Sequence, residues 1–440
     1  MRRALSLILA GLALAASPAA AAEPKPTLPP FSWAYQPVGV DERGLWMEAD
    51  DLEREFRDSR LLVRDEALNS YIHGVLCRAV GEDRCKGVRL YIIRDPSFNA
   101  SMAANGMMQI NTGLLLRLHS EAELAAAIAH EFGHFELRHT LEAFKRRRRS
   151  TDALMWAGIT GGRNGANLQL AIIGSFFRFK REEEIAADIR SFEYLAASTY
   201  RAAASPAIWE RMMAEYEASA AARKLKFRNA RRPSFVDSHP TDMQRMVYLK
   251  ALAAEHGDGG EDGVDGYAKA LAAWRPQFLA DAIKLNDFGG SEYILAELAR
   301  SGWTKELLAA RGDLYRLRGN PRDLAVAAQA YRDAIAQGAT DPAIHRDLGM
   351  VLLRSGARAD AATALQRYLA LRPDAADKTM VALLIDQAGA TSGAAVMHAE
   401  SGAPAVSPGS PANAPPEPAS GGSAVAGARA LAPANDGSTK

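Results

Sequence analysis

The sequence predicts an α+β domain, mostly helical with a small sheet, followed by an all-α repeat domain. Two short apolar segments, residues 88–93 and 107–111, have the length and composition of buried strands. Residues 60–80 have the apolar periodicity of a helix that packs on one face. Beyond about residue 290, alanine-rich segments with spaced large residues are typical of packed helix pairs.

The repeat domain, expected over residues 291–388, is predicted from small and large residues at matched helical positions. The first segment contributes Gly312, Ala327 and Tyr331, and the second contributes Gly349, Ala361 and Leu365. This pattern resembles tetratricopeptide repeats, which are about 34 residues long, with an ordinary helical hairpin domain as the alternative. Such repeats form concave surfaces, so we expect this domain to bind a partner protein.

The two ends of the chain differ in composition from the rest. Residues 2–3 are arginines, residues 4–16 are apolar and residues 19–22 are small, which is the order of a signal peptide cleaved near Ala22. A membrane anchor is disfavoured because the apolar run is shorter than the ~20 residues that cross a bilayer. Residues 23–44 are predicted as an extended lead-in, 256–290 as a helical connector and 389–440 as a disordered tail rich in Ala, Pro, Gly and Ser.

Charge and cysteine content narrow the possible partners and compartments. The formal net charge of +1 gives no general attraction to nucleic acid, so no nucleic-acid partner is expected. The basic run 145–149 predicts peripheral contact with an anionic membrane, with a solvated helix end as the alternative. Cys77 and Cys85 are candidates for a disulfide in an oxidising compartment, and two free, buried thiols are the alternative.

His130, Glu131 and His134 form the motif that indicates chemistry. Ser120 is a predicted N-cap, and one helix is expected to run from there past His139 to the basic run. Histidines four positions apart project from one helix face, so both can bind a single Zn²⁺ while Glu131 acts as general base on water. We therefore expect one Zn²⁺ per chain, held within residues 45–255.

A catalytic zinc site of this kind needs a third protein ligand. His139 does not fit the longer motif with a third histidine, because position 140 is Thr140, and we expect His139 to be structural or to support a ligand. Glu184 is the better candidate, with Glu183 as a rival one residue away. Asp188 shares a helix face with Glu184 and can orient a ligand histidine through its free ring N–H.

These motifs resemble metallopeptidase family forty-eight, the group of HtpX and the CAAX prenyl proteases. The resemblance covers roughly residues 45–250 and rests on His130-Glu131-x-x-His134, on Glu184-x-x-Ala187-Asp188 and on Asn99-Ala100 upstream. It implies a zincin-like metalloprotease domain with His130, His134 and Glu184 as ligands, Glu131 as base and Asp188 as acidic partner. The signal peptide and repeats are most similar to the soluble periplasmic branch, which implies the periplasm.

The remaining site residues are candidates from their positions. In that family the acidic partner is sometimes described as a proton donor, but an aspartate beside Zn²⁺ is expected to be ionised, which favours orientation for Asp188. His239 and Arg245 are candidates to stabilise an oxyanion, and His239 is alternatively a latch over the zinc or a capping residue of its loop. Asn99 and Ala100 lie in an expected edge strand, residues 97–103, to which an extended substrate can add.

Together these features predict a zinc-dependent endopeptidase of the bacterial cell envelope. By resemblance, it would act in quality control or assembly of outer-membrane proteins, with unfolded or misassembled envelope proteins as substrates. One alternative is a repeat-based chaperone or scaffold in which proteolysis is secondary or latent. A second is a metal-dependent hydrolase of a non-peptide substrate.

Overall fold

The structure is a computed structural model and describes residues 28–160, 181–225, 243–257 and 259–400. The helices in these residues are, in chain order, α1 (Gly39–Asp58), α2 (Glu66–Val80), α3 (Glu82–Cys85), α4 (Thr112–Arg117), α5 (Glu121–Glu136), α6 (His139–Thr160), α7 (Arg181–Ala197), α8 (Ser205–Ala222), α9 (Met243–His256), α10 (Val264–Leu271), α11 (Arg275–Ile283), α12 (Phe288–Leu298), α13 (Lys305–Arg318), α14 (Pro321–Ala336), α15 (Ala343–Arg354), α16 (Arg358–Leu371) and α17 (Lys378–Glu400). The predicted signal peptide lies outside the described residues.

Three short strands form one sheet between the helices of the first half of the chain. They are β1 (Arg89–Ile93), β2 (Ala100–Met102) and β3 (Met107–Asn111), in the order β1-β3-β2. β1 runs parallel to β3, and β2 runs antiparallel to it. The mostly helical fold with a small sheet that the sequence predicts is confirmed, and β2 lies at one edge of the sheet.

The central sheet packs against α2 and α5 in one hydrophobic core. Ile72 of α2, Ile92 of β1, Ile110 of β3 and Leu124 of α5 are fully buried there. The Ser120 side chain caps α5 by accepting a hydrogen bond from the Glu123 N–H at 3.2 Å. Nearly every residue of α5 is buried, so the helix runs through the core rather than over its surface.

The chain breaks between α5 and α6, so the prediction of one continuous helix past His139 is wrong. Arg138 adopts the left-handed conformation with φ 61°, which costs a residue with a side chain about 1 kcal/mol. Its guanidinium stacks over the Tyr35 ring at 5.3 Å and contacts the buried carboxylate of Glu42 in α1. These distant partners stabilise a turn that no local sequence signal indicates.

The basic run at residues 145–149 pairs with carboxylates of neighbouring helices. Arg146 binds Glu183 of α7 at 2.6 Å, Arg147 binds Glu48 of α1 at 2.8 Å, and Arg148 contacts Asp41 of α1. These pairs hold α6 between α1 and α7. Membrane contact through this run therefore stays a prediction that has to compete with a structural role.

Two predicted segment ends differ from the structure. The first helix, α1, already begins at Gly39, inside the span predicted as an extended lead-in, and Tyr35 before it is buried. At the other end, α17 continues to Glu400, past residue 389 where the tail is predicted to begin.

Cys77 and Cys85 form a disulfide that joins the end of α2 to α3. Within the described ranges, no helix has an apolar stretch long enough to cross a membrane.

Beyond residue 300 consecutive helices pack as pairs, α13 with α14 and α15 with α16. A side chain at Gly312 would meet the Tyr331 ring at 2.4 Å, and one at Gly349 would meet Leu365 at 2.6 Å. The glycines thus let each first helix approach a large residue of the second. The assignment of these pairs to tetratricopeptide repeats stays a prediction.

Candidate metal centre

The functional residues of α5 and α7 meet in a buried cluster of two histidines and one glutamate. The Nε2 atoms of His130 and His134 are 3.1 Å apart. Glu184 lies 3.5 Å from His130 Nε2 through one carboxylate oxygen and 3.7 Å from His134 Nε2 through the other. All three side chains are buried, with His134 and Glu184 only 1% exposed. The cluster brings one ligand atom from each residue to within 4.8 Å of the others.

The spacing in this cluster fits a tetrahedral zinc site. Bonds of about 2.0–2.2 Å to nitrogen and oxygen place neighbouring ligand atoms about 3.3–3.5 Å apart around a tetrahedral ion. The three observed separations lie close to this value. A set of two histidines and one glutamate also leaves a fourth position open, as catalytic zinc sites require.

Glu183, the neighbour of Glu184 in the acidic run of residues 182–184, points away from the cluster. Glu183 accepts two hydrogen bonds from Arg146, at 2.6 and 2.9 Å, and these hold it on the α6 side of α7. Glu184, one residue later, points into the core towards the histidines. The structure therefore brings Glu184, and not the rival Glu183, to the cluster.

Asp188 lies behind His130, one turn after Glu184 on α7. Its Oδ1 is 2.9 Å from His130 Nδ1, and it accepts two hydrogen bonds from Arg245, each at 2.7 Å. Tyr248 donates a further hydrogen bond to Oδ2. Burial alone would raise the pKa of Asp188, but Arg245 and His130 hold that pKa well below its ordinary value. The carboxylate is therefore ionised, and its position is that of a group that orients the imidazole.

His139 lies behind the second histidine in the same way. Its Nδ1 is 2.9 Å from His134 Nδ1, so His134 Nε2 faces the cluster. Burial lowers the pKa of His139, which favours the neutral ring that can accept a proton from His134. The supporting position expected for His139 is present, although it comes from the first residue of α6 and not from α5.

Arg245 of α9 contacts both carboxylates of the site. Its Nη1 lies 2.9 Å from Glu184 Oε2, and its Nη2 lies 3.5 Å from His130 Nε2. The guanidinium also stacks over the Trp209 ring at 4.4 Å and is almost fully buried. Arg245 thus balances the charges of Glu184 and Asp188. The other oxyanion or latch candidate, His239, lies outside the described residues.

Glu131 and the edge strand border one cavity of about 730 Å³ beside the cluster. Glu131 is buried, and it lines this cavity together with His130 and Asp188. Asn99 and Ala100, at the start of β2, line the same cavity. The structure therefore brings the predicted base, the cluster and the predicted substrate strand to a single space.

Trp209 and Tyr248 are contacts of the site that the sequence analysis missed. Tyr248 follows Arg245 by three positions, and this spacing places both residues on one face of α9. With Arg245 as a site candidate, this spacing could have predicted Tyr248 as a further contact of the site. Trp209 had no such signal, because only the packing of α8 places its ring against Arg245.

A buried His-His-Glu cluster beside a glutamate-lined cavity in a mostly helical fold with a small sheet defines a metallopeptidase domain. The family model described as Peptidase family M48 matches residues 63–253, and this part of the chain is a peptidase M48 domain. The family predicted from the motifs is thereby confirmed.

Curated relatives match the same region. A Vibrio cholerae relative of the beta-barrel assembly-enhancing protease type is 26% identical over 220 residues, which cover 47% of this chain and 43% of that protein. The beta-barrel assembly-enhancing protease of Escherichia coli K12 is 24% identical over 208 residues, covering 44% of this chain and 40% of its own. The mitochondrial metalloendopeptidase OMA1 of Schizosaccharomyces pombe is 25% identical over 199 residues, covering 44% and 56%. This chain thus spans about half or less of the relatives it matches.

Proposed function

We propose that this protein is a zinc-dependent endopeptidase that cleaves unfolded or misassembled proteins of the bacterial cell envelope. The observation that carries the proposal is the His130, His134 and Glu184 cluster, whose spacing fits a tetrahedral ion and which opens to a cavity lined by Glu131. The match to a peptidase family supports hydrolysis of peptide bonds over that of other substrates.

His130, His134 and Glu184 would hold the ion, and the other residues would serve the reaction around it. A bound zinc supplies Lewis acidity to the scissile carbonyl and makes water a stronger acid. Glu131 takes the proton from the attacking water and passes it to the leaving amine. Asp188 fixes the ring of His130 and His139 fixes the ring of His134, so that both Nε2 atoms stay directed to one point.

The edge strand β2 offers the backbone groups that an extended substrate would pair with. The Asn111 N–H donates to the Asn99 carbonyl at 3.0 Å, and the Ala103 N–H donates to the Met107 carbonyl at 2.8 Å. In an antiparallel pair the backbone groups of alternate residues face the partner, so those of Ala100 and Met102 face away from β3. Among the described residues β2 pairs with β3 alone. Backbone pairing at this edge would contribute affinity without depending on the substrate's side chains.

The envelope location rests on several independent features. The first residues have the pattern of a signal peptide, and the Cys77–Cys85 disulfide suits an oxidising compartment. Two of the relatives bear names that refer to assembly of β-barrels, which are outer-membrane structures in bacteria. From these features we infer a role in quality control of outer-membrane proteins.

The decisive experiment compares zinc content and cleavage of casein by four purified proteins. We expect the wild type to bind one zinc and to cleave. Glu131→Gln should keep zinc and lose cleavage by at least about a hundredfold, the contribution of a general base. Glu184→Ala should lose both, whereas the control Glu183→Ala should keep both because Glu183 pairs with Arg146. Wild-type cleavage rates for Glu131→Gln would contradict the proposal.

A groove in the C-terminal helices favours a second function, binding of a partner protein. The groove lies between α11, α13 and α15, and its lining combines small residues such as Ala280, Ala309 and Ala343 with charged ones. Such a surface suits a scaffold or chaperone. If Glu131→Gln fully replaces the wild type in cells, the scaffold function is the important one.

A further inference from the structure

We infer that the cavity beside Glu131 is a pocket for a large apolar side chain of a residue that flanks the cleaved bond, and that Ala127 sets its depth. The inference rests on the proposed peptidase function and names the substrate class that the function would take. It follows from the lining of the cavity, from its place relative to the cluster and β2, and from the charges around it.

The lining of the cavity is predominantly apolar. Seven of its lining residues are apolar, and two of these, Phe98 and Trp209, are aromatic. Phe98 and Trp209 form one wall, with their rings edge to face and 6.4 Å between centroids. The rest of the apolar lining consists of Ala100, Leu114, Ala126, Ala127 and Ile208.

The position of Ala127 places the pocket next to the reacting bond. Ala127 precedes His130 by three and Glu131 by four positions, so it lies on the same face of α5 as both. From Ala122 to Phe135, Ala127 is the residue of α5 that is not buried. Because Ala127 also lines the cavity, a longer side chain at this position would extend into it.

The edge strand gives a substrate access to this pocket. Ala100 of β2 lines the cavity, and its backbone groups face away from β3. A peptide that pairs with β2 directs alternate side chains to opposite faces of the sheet. One side chain next to the bond at Glu131 can then enter the pocket, while its neighbours point away.

The charges around the pocket disfavour acidic side chains. Glu131 would repel an acidic side chain, and the positive charge of Arg245 is already paired with Asp188 and Glu184. The Ser191 hydroxyl donates to the Ala126 carbonyl at 2.8 Å. An acidic side chain would lose its hydration here without a free cation to pair with, which costs far more than burying an apolar one gains.

This preference would select unfolded substrates by a physical criterion. Folded proteins bury most large apolar side chains, whereas unfolded chains expose them next to backbone that is free to pair. The edge strand binds free backbone, and the pocket binds an exposed apolar side chain. A protein that has failed to fold offers both within one segment.

Cleavage-site mapping on denatured casein tests the pocket. Zinc-loaded wild type should cleave with large apolar residues enriched at one of the two positions that flank the bond. Ala127→Phe should shift that position towards small residues, lowering the preference for large over small ones about tenfold or more. The matched control Ala221→Phe, at an exposed position of α8, should leave the preference unchanged.

A binding measurement separates the pocket from catalysis. In the Glu131→Gln background, a peptide with Phe at the flanking position should bind more tightly than one with Asp, and Ala127→Phe should remove the difference. Cleavage by the wild type with no apolar preference at either position would overturn the pocket alone. Absence of any cleavage by the zinc-loaded wild type would overturn the proposed function and the pocket with it.

Discussion

The two ligand histidines are supported by chemically different partners. His130 Nδ1 contacts the ionised carboxylate of Asp188, which raises the pKa of His130 although burial opposes the charged ring. His134 Nδ1 contacts the neutral ring of His139. A carboxylate partner makes a ligand imidazole a stronger donor, whereas a neutral partner fixes its direction. We therefore expect His130 to be the stronger electron donor to a metal, although the two histidines occupy equivalent positions in the motif.

At the scale of single residues, we predict that His139→Leu weakens zinc binding by about ten- to a hundredfold, because His134 loses the acceptor that fixes its ring. His139→Asn should retain more affinity, since its side-chain oxygen can accept the same proton. Competition with a chromophoric chelator measures the effect. His345→Leu, a matched change in α15 far along the chain from the cluster, serves as control. Equal affinities for His139→Leu and wild type would show that His139 does not support the ligand.

At the scale of elements, the ligands meet because α5 and α7 approach closely. Gly133, between the two histidines, faces Ala187, which follows Glu184 by three positions. A Cβ at position 133 would lie 3.2 Å from the Ala187 carbonyl oxygen and 3.4 Å from its Cα. These are backbone atoms of α7, so the helix itself would have to move.

We predict that Gly133→Ala lowers both zinc affinity and stability, because it pushes α7 and Glu184 away from α5. The cost in stability should be about 1–3 kcal/mol, the usual range for overpacking. Gly74→Ala in α2 is the matched control, because its Cβ would meet nothing within 4 Å. That control should gain about 0.4–1 kcal/mol. Urea unfolding and zinc titration of both variants decide the matter, and a Gly133→Ala protein as stable as Gly74→Ala would contradict the packing argument.

Helix α1 is attached to the sheet by one buried carboxylate, Glu53. Glu53 accepts two hydrogen bonds from Arg89 of β1, each at 2.6 Å, and one from Tyr91 at 2.7 Å. Burial alone would raise the pKa of Glu53, but the hydrogen bonds from Arg89, Tyr91 and Arg57 lower it from 4.5 to about 2. Because the folded pKa is depressed, the stabilisation is complete above pH 4.5 and is lost as the pH falls towards 2.

This shift gives a pH-dependent prediction for Glu53→Gln. The ionised Glu53 should contribute about 3 kcal/mol at pH 7, so the variant should be less stable than wild type by an amount of that order. At pH 3 the difference should be clearly smaller, because part of the wild-type stabilisation is already lost. Urea unfolding at the two pH values measures it. A difference that stays constant or grows on acidification would show that the carboxylate charge is not the cause.

On the scale of the whole molecule, the predicted connector at residues 256–290 belongs to the core of the M48 domain. Tyr267 of α10 is buried and donates a hydrogen bond to the Leu115 carbonyl at 2.7 Å. Phe278 and Leu279 of α11 are buried in the same core as the sheet, which continues to Leu314 of α13. Asp281 of α11 also pairs with Arg94 at 2.9 Å. The helices after residue 255 are therefore part of what makes the first domain stable.

We predict that a chain truncated after residue 255 does not fold stably. Each large apolar side chain removed from the core forfeits about 1.5–3 kcal/mol, and the loss of several exceeds much of the 5–15 kcal/mol that usually stabilises a domain. A chain that ends at residue 400 is the control and should keep full stability. Circular dichroism during urea unfolding compares the two. A cooperative transition of wild-type midpoint in the shorter chain would show that the domains are independent.

The sequence by itself determined the features that depend on neighbouring residues. Local apolar periodicity predicts the strands β1 and β3, and the residue pattern predicts the N-cap at Ser120. Spacing alone places His130, Glu131 and His134 on one helix. These are properties of a few consecutive residues, and the backbone geometry of a helix or strand converts them directly into position.

The tertiary structure decided the features that depend on distant partners. Arg138 takes a left-handed turn because Tyr35 and Glu42 stabilise it, and that turn places His139 against His134. Glu184 rather than Glu183 enters the cluster because Arg146 binds the latter. The family resemblance favours Glu184, but the two residues are chemically alike, so the packing of α6 and α7 supplies the physical reason. Local sequence carries no record of which distant charge will lie opposite, and for that reason the Trp209 contact with Arg245 and the Arg146–Glu183 pair were visible only in the fold.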